Sequence, residues 1–276
     1  MIWKATEVGN SRVGIVVPTL GLREEYLLQT LNSIKSSENI HVLLIHPARY
    51  VPSESVFNLC DVTLTEAKPG LSSAINFGIS NLPKSCEYVT WLGDDDLLIG
   101  NSVFDLVKVL DSNPSVTFVY GGCTYIDSNG DEVGSNPSGK WAMKLIKFGP
   151  DLIPQPGSLI RRSVFEKVNG VSESYKYAFD QDLFIKLLEV GSGMHVNLTV
   201  SAFRWHPNSL SVSQRKGAVK EASKIRMARR TRKTRAFTWL AELLIQFVTL
   251  QAGRLVNMRI LLKNHLAKRR TLFKVN

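Results

Sequence analysis

Cysteine is scarce in this 276-residue chain: Cys60, Cys86 and Cys123 are the only three, and no two form a C-x-x-C pair. That odd, unpatterned count excludes a disulfide framework and a thiolate zinc site, and it predicts a reducing, cytoplasmic setting. No small-residue cleavage site follows the short apolar run at Val13 to Val17, so no secretory signal is expected. No glycine-rich phosphate loop follows that run either, which argues against a nucleotidyltransferase. Acidic residues are nearly missing from the last quarter, where Gln214 to the end holds 17 Lys and Arg against Glu221 and Glu242. The tail therefore carries +15 and the body −5 of the net +10. What is present is the composition of an ordinary globular protein, 44% hydrophobic and 21% charged, long enough for one large core with an extension.

Apolar periodicity predicts strands at Val13 to Val17, His41 to Ile45, Val62 to Thr65, Tyr88 to Leu92 and Val116 to Tyr125. Helical spacing predicts helices through Leu27 to Ile34, Leu71 to Leu82 and Val103 to Leu110, and shorter ones at Trp141 to Phe148, Arg162 to Val168 and Phe179 to Glu189. Strands alternating with helices argue for right-handed βαβ units. The expected fold is α/β, a mostly parallel sheet flanked by helices, with ligands beyond the carboxyl ends of the strands. Asp127 to Asp131 reads as a hairpin turn. No linker interrupts residues 1–213, read as one catalytic domain, and residues 214–276 read as a basic, amphipathic helical tail.

Three consecutive carboxylates, Asp94, Asp95 and Asp96, follow an apolar strand. Like charges at such range oppose each other's ionisation, and a divalent cation relieves them. Oxygen-rich strand ends suit Mg²⁺ or Mn²⁺, which take one or two carboxylates and complete their shells with substrate phosphate and water. The plainer alternative is a solvated acidic turn capping the helix that starts near Ser102. Asp180 and Asp182 flank Gln181 at the start of another helical pattern, where one can act as a base and the other can cap.

Six segments, in order over residues 13 to 213, together resemble a family 2 glycosyltransferase with the glycosyltransferase A fold. They are Val16-Val17-Pro18-Thr19, Pro69 to Ile79, Trp91 to Leu98, Gln155 with Leu159 to Phe165, Phe179 to Phe184, and Arg204-Trp205-His206. The resemblance implies an inverting, metal-dependent transfer of a sugar from a nucleotide-diphosphate donor to a saccharide or lipid-linked acceptor in polysaccharide synthesis. Pro18, Thr19 and Asn76 would line the nucleotide pocket and Asp95 would meet the ribose. Asp96 and His206 would hold Mn²⁺ or Mg²⁺, and Asp180 would be the catalytic base, which leaves Asp182 to cap the helix. The chain departs from the family twice. Ile45-His46-Pro47-Ala48-Arg49 replaces the usual acid cluster after the second strand, with Asp61 as substitute or strand-edge residue, and Ile75 replaces an arginine before Asn76.

In the tail, Thr238, Glu242, Gln246, Thr249, Gly253 and Asn257 recur as a narrow polar stripe. The remaining face is apolar, with Trp239, Leu240, Leu243, Leu244, Phe247, Leu250 and Leu255. Such a helix can pack on the body, form a homodimer or lie on an anionic membrane surface, and the expectation is peripheral attachment at the inner face of the cell membrane. Two other readings are a catalytically silent scaffold and a nucleic-acid binder using the cations from Lys224 to Arg235. The latter run lacks the interleaved aromatics that stack on bases, which argues against nucleic acid.

Overall fold

The computed structural model describes residues 11–37, 39–136, 139–206, 213–230 and 232–272, with the side chains at 232–237 and 260–272 outside that description. The cations Arg232, Lys233 and Arg235 of the basic run therefore lie outside the described side chains.

The first strand, β1 (Val13–Pro18), is buried along its whole length because its apolar, β-branched residues face helices on both sides. The chain continues through α1 (Glu24–Lys35), β2 (Ile40–His46), the short α2 (Glu54–Asn58), β3 (Val62–Thr65), α3 (Leu71–Ser80) and β4 (Tyr88–Trp91). β1 pairs in parallel with β2 on one side and β4 on the other, and β3 pairs in parallel outside β2. Strand order thus reverses between β1 and β4. In open α/β sheets that reversal leaves a crevice at the carboxyl ends of the two strands. Gly78 lets α3 lie close on the sheet, since a Cβ there would come within 2.5 Å of the Val16 side chain.

Beyond β4 come β5 (Leu97–Leu98), α4 (Ser102–Ser112), β6 (Val116–Ile126), β7 (Glu132–Ser135), α5 (Trp141–Leu145), β8 (Ser158–Arg161), α6 (Arg162–Lys167), α7 (Phe179–Val190) and β9 (Ser192–Arg204). The sheet order is β3-β2-β1-β4-β8-β6-β9-β5, with β7 on β6 as the expected hairpin. β8 is inserted antiparallel between β4 and β6, while β9 runs parallel to β6. The parallel half is the one legible in the apolar runs; the second half makes the sheet mixed. Because β8 reverses direction between them, β1, β4, β6 and β9 all end at one edge.

The tail divides into α8 (Arg215–Ala228) and α9 (Arg232–Leu272). Ala222 and Ile225 of α8 join the same core cluster as Ile75, Trp91 and Phe184, so this helix packs as part of the body rather than beside it. The polar stripe of α9 faces inward. Glu242, 3% exposed, forms a bidentate ion pair with Arg226, 2% exposed, at 2.9 and 2.7 Å. Gln246 donates to the Ser223 hydroxyl and Asn257 accepts from Trp205 and Arg215.

Candidate functional site

Pro18 ends β1, and Thr19 follows with its amide bonded to the Ile45 carbonyl at the end of β2. The Thr19 hydroxyl donates to Asp94 Oδ2 at 2.5 Å and accepts from the Gly21 amide. The turn after β4 thus faces the turn after β1 across the strand-order reversal. Gly93 makes room for this, since a Cβ there would stand 3.0 Å from Asp96 Oδ2 and 3.2 Å from Asp95 Oδ1.

The three aspartates point in three directions. Asp94 meets Thr19, and burial, followed by the Asp95 charge, pushes its carboxyl above the ordinary range. Asp95 Oδ2 lies 2.8 Å from His206 Nε2 and 3.3 Å from an Arg23 nitrogen. Asp96 is 5% exposed and its Oδ1 accepts from the Arg204 amide at 3.0 Å, while Thr30 donates to its carbonyl. Burial, reinforced by Asp95, holds its carboxyl well above the usual carboxylate range. His206 therefore meets Asp95, whereas Asp96 is turned into the interior to bind the end of β9. In an irregular turn adjacent side chains diverge, which the run of identical residues conceals.

A guanidinium already occupies the junction of Asp95 and His206. Arg23 Nη1 approaches His206 Nε2 to 2.6 Å, so one imidazole nitrogen faces both a carboxylate oxygen and a cation. A carboxylate oxygen and an imidazole nitrogen converging on a positive charge form a donor set that fits a borderline divalent cation. Among the described residues no group of three or more His, Cys, Asp or Glu gathers as a metal site, so such a cation would need further ligands from substrate or water.

In the sequence Arg23 had no place, and Arg204 was named only within the Arg204-Trp205-His206 segment, with no role of its own. Arg204 is 1% exposed and clamps the aspartate turn: its Nε donates to the Asp95 carbonyl, Nη1 to the Asp127 carbonyl and Nη2 to Gln29 at 2.6 Å. Its guanidinium lies 4.4 Å from the centre of the Tyr26 ring. The Arg204-Trp205-His206 triplet was the available signal; for Arg23, ahead of α1, there was none.

Asp180 lies in the first turn of α7, behind Phe179, whose ring is 6.2 Å from that of Trp91 at the end of β4. Gln155 fastens the same end by donating to the Trp91 carbonyl at 2.8 Å. Burial pushes the Asp180 carboxyl up to about 6. A second carboxyl, Asp151, is held well above the usual range by burial and by the charge of Asp180. Its Oδ1 accepts from the Ile153 amide, whereas its buried Oδ2 has no hydrogen-bond partner among the described residues.

Asp182 does not cap α7. Ala178 holds the cap position, and Glu221 of α8 reaches across to accept from the amides of Lys176, Tyr177 and Ala178. Asp182 instead pairs with Arg229 at 2.7 Å and lies 3.6 Å from Lys186. Asn76 is bonded to the loop before α7. Its amide donates to the Val171 carbonyl and accepts from the Val171 amide, which commits both ends to the turn at Gly170. Asp61 is a strand-edge residue, bonded to the Val42 amide and to Lys35.

No protein-family model matches the chain. An uncharacterized glycosyltransferase of Rickettsia bellii is 30% identical over 146 residues, 50% of this chain and 21% of its own length. One from Rickettsia typhi is 26% identical over 197 residues, 65% of this chain and 59% of its own length, so the chain spans only part of these relatives. Among solved structures, Staphylococcus aureus TarS 1-349 in complex with UDP superposes with a TM-score of 0.57 at 14% identity, covering 79% of this chain and 64% of TarS 1-349. The mannosyltransferase PcManGT from Pyrobaculum calidifontis, in complex with GDP-Man and Mn²⁺, gives 0.59 at 13% identity, covering 99% and 84%. The mixed sheet with its flanking and C-terminal helices is a fold shared with these proteins.

Proposed function

We propose that the chain is a glycosyltransferase that moves a sugar from a nucleotide-diphosphate donor to a hydroxyl of a saccharide or lipid-linked acceptor. The observation that carries this reading is the convergence of Thr19, Asp94, Asp95 and His206 at the crevice between β1 and β4, with a raised carboxyl, Asp180, at the same end of the sheet. The named glycosyltransferase relatives and the fold shared with nucleotide-sugar enzymes support it.

In this reading Asp95 and His206 hold a divalent cation, Mn²⁺ or Mg²⁺, in place of the Arg23 guanidinium. When bound, that cation neutralises charge on the departing diphosphate. Pro18, Thr19 and Asp94 border the nucleoside. Asp180 accepts the proton of the acceptor hydroxyl while the acceptor oxygen bonds to the anomeric carbon and the bond from that carbon to the diphosphate oxygen breaks. A single displacement of this kind inverts the anomeric configuration and needs no covalent intermediate on the protein. Asp96 and Arg204 fix the aspartate turn without touching the donor.

Thermal shift and calorimetric titration with UDP and GDP, each with and without Mn²⁺, test the reading, since a ligand of the native state raises the melting temperature. Cation-dependent binding of a nucleoside diphosphate is expected. The variant Asp95→Ala should lose the cation dependence while staying folded. If neither diphosphate binds, or if Asp95→Ala keeps the full cation response, the assignment fails.

A further inference from the structure

The long C-terminal helix α9 is built inside out. Its polar residues Glu242, Gln246 and Asn257 are spent on the body, and its large apolar side chains face away from it. Trp239, Leu240, Leu244, Phe247, Val248 and Leu255 are each between 54% and 70% exposed. They recur over a length of about 25 Å at 1.5 Å per residue. Scattered exposed apolar residues are normal, but a continuous stripe of this length on one helix marks an interaction surface.

Charge identifies the occupant. On α8 the exposed lysines Lys216, Lys220 and Lys224 stand four residues apart and so form one ridge, and Arg254 and Arg259 are exposed on α9. Neither acid of residues 214–276 offsets them. Glu221 is engaged with the amides before α7, and Glu242 is buried against Arg226. A second surface of the same kind adjoins this one. Trp141, Leu145 and Phe148 are exposed among the exposed lysines Lys140, Lys144 and Lys147, and Arg230, two residues before α9, lies over the Phe148 ring at 5.2 Å. A two-fold contact between copies would set these cations against themselves. An anionic lipid surface instead accepts both components, taking the aromatic and aliphatic side chains into the headgroup boundary and the cations against its phosphates. No described helix is long and apolar enough to cross a membrane, so α9 would lie on the bilayer.

We propose that the outward face of α9, together with the α8 lysine ridge and the Trp141–Phe148 patch, is a docking surface for an anionic membrane. This surface is independent of the transfer reaction, so its test needs no donor.

The full chain is sedimented with vesicles of phosphatidylcholine alone and of phosphatidylcholine containing one-quarter phosphatidylglycerol. Binding to the anionic vesicles is expected, with weak binding to the neutral ones. Replacing Trp239→Ser, Leu244→Ser and Phe247→Ser together should cut anionic-vesicle binding at least about tenfold at an unchanged melting temperature, because these side chains touch solvent rather than core. Replacing Lys216→Gln, Lys220→Gln and Lys224→Gln should cost about 100-fold on the anionic vesicles and little on the neutral ones. The proposal is overturned if the full chain ignores both vesicles, if the apolar triple variant binds as well as the parent, or if light scattering finds a dimer that this triple variant dissolves.

Discussion

At the scale of single residues, Asp180 and Asp182 are two positions apart in one helix, and the proposed function gives them different tasks. Asp180→Asn keeps the shape of the side chain and removes its ability to take a proton, so turnover should fall about 10²- to 10⁴-fold with donor affinity and melting temperature retained. Asp182→Asn should instead weaken the link to Arg229 and lower the melting temperature while turnover persists. Activity and unfolding measured on both variants decide the matter; an inactive but donor-competent Asp182→Asn would move the base. The pH dependence follows from the same burial. A base must be ionised, so with its carboxyl raised from 3.8 to about 6 the rate should climb with pH through about 6 and then level off. The sign for stability is opposite. Folding favours the protonated form, so this stabilisation is complete below the unfolded value of 3.8 and is lost as pH rises through about 6. Asp151 shares the titration. Asp180 ionises first and its charge then holds Asp151 protonated, so Asp151→Asn should leave the acid limb of the rate profile in place while the melting temperature at pH 8 rises. An acid limb moved to lower pH would show that Asp151 is the first of the two to ionise.

At the scale of elements, α9 is held by polar contacts rather than by its apolar residues. Glu242→Ala would leave the Arg226 guanidinium buried with, among the described residues, only the Gly149 carbonyl as partner. Removing one partner of a buried pair costs about 3–5 kcal/mol, and α9 should become susceptible to limited proteolysis ahead of the body; equal protection in parent and variant would refute this. The elements legible in the sequence were those with a period of their own. β1 and β4 read as continuous apolar runs because both of their faces are covered, and α4 showed its buried ridge of Val103, Leu106, Val107 and Leu110. β8 is four residues, too short for any period, and β9 is half-exposed along Ser192 to Val196, where Met194 and Val196 alternate with polar neighbours. The site was legible as a constellation, since Thr19, the aspartates, Asp180 and His206 all fall at one edge of the sheet. The direction each carboxylate takes was not. Nothing in three identical residues says which will turn toward His206 and which toward the Arg204 amide, because that depends on where β9, more than a hundred residues away in the chain, comes to end. Sequence distance also hid the reach of Glu221, 43 residues beyond Ala178, to the three amides that precede α7.

At the scale of the whole molecule, the three thiols report on its integrity. Cys60 and Cys86 lie in the two large core clusters on opposite faces of the sheet, and Cys123 is buried in β6. Burial pushes the three up to about 12, 11 and 12 respectively. They should resist alkylation at pH 8 and react together as denaturant unfolds the chain, if the two faces of the sheet open as one unit; staggered labelling, read by mass spectrometry, would reveal separate units. The place of β8 between β4 and β6 bears on how the molecule is made. During synthesis β1 to β4 can assemble as soon as they emerge, but the outer edge of β4 has no neighbour until Arg161 and Ile160 arrive, some seventy residues after Trp91. At a ribosomal rate of about 5–20 residues per second this amounts to roughly 4–14 s. For that interval the nascent chain exposes an unpaired strand whose four residues are all buried in the finished fold, and the edge that becomes the centre of the sheet is the one most open to a stray neighbour.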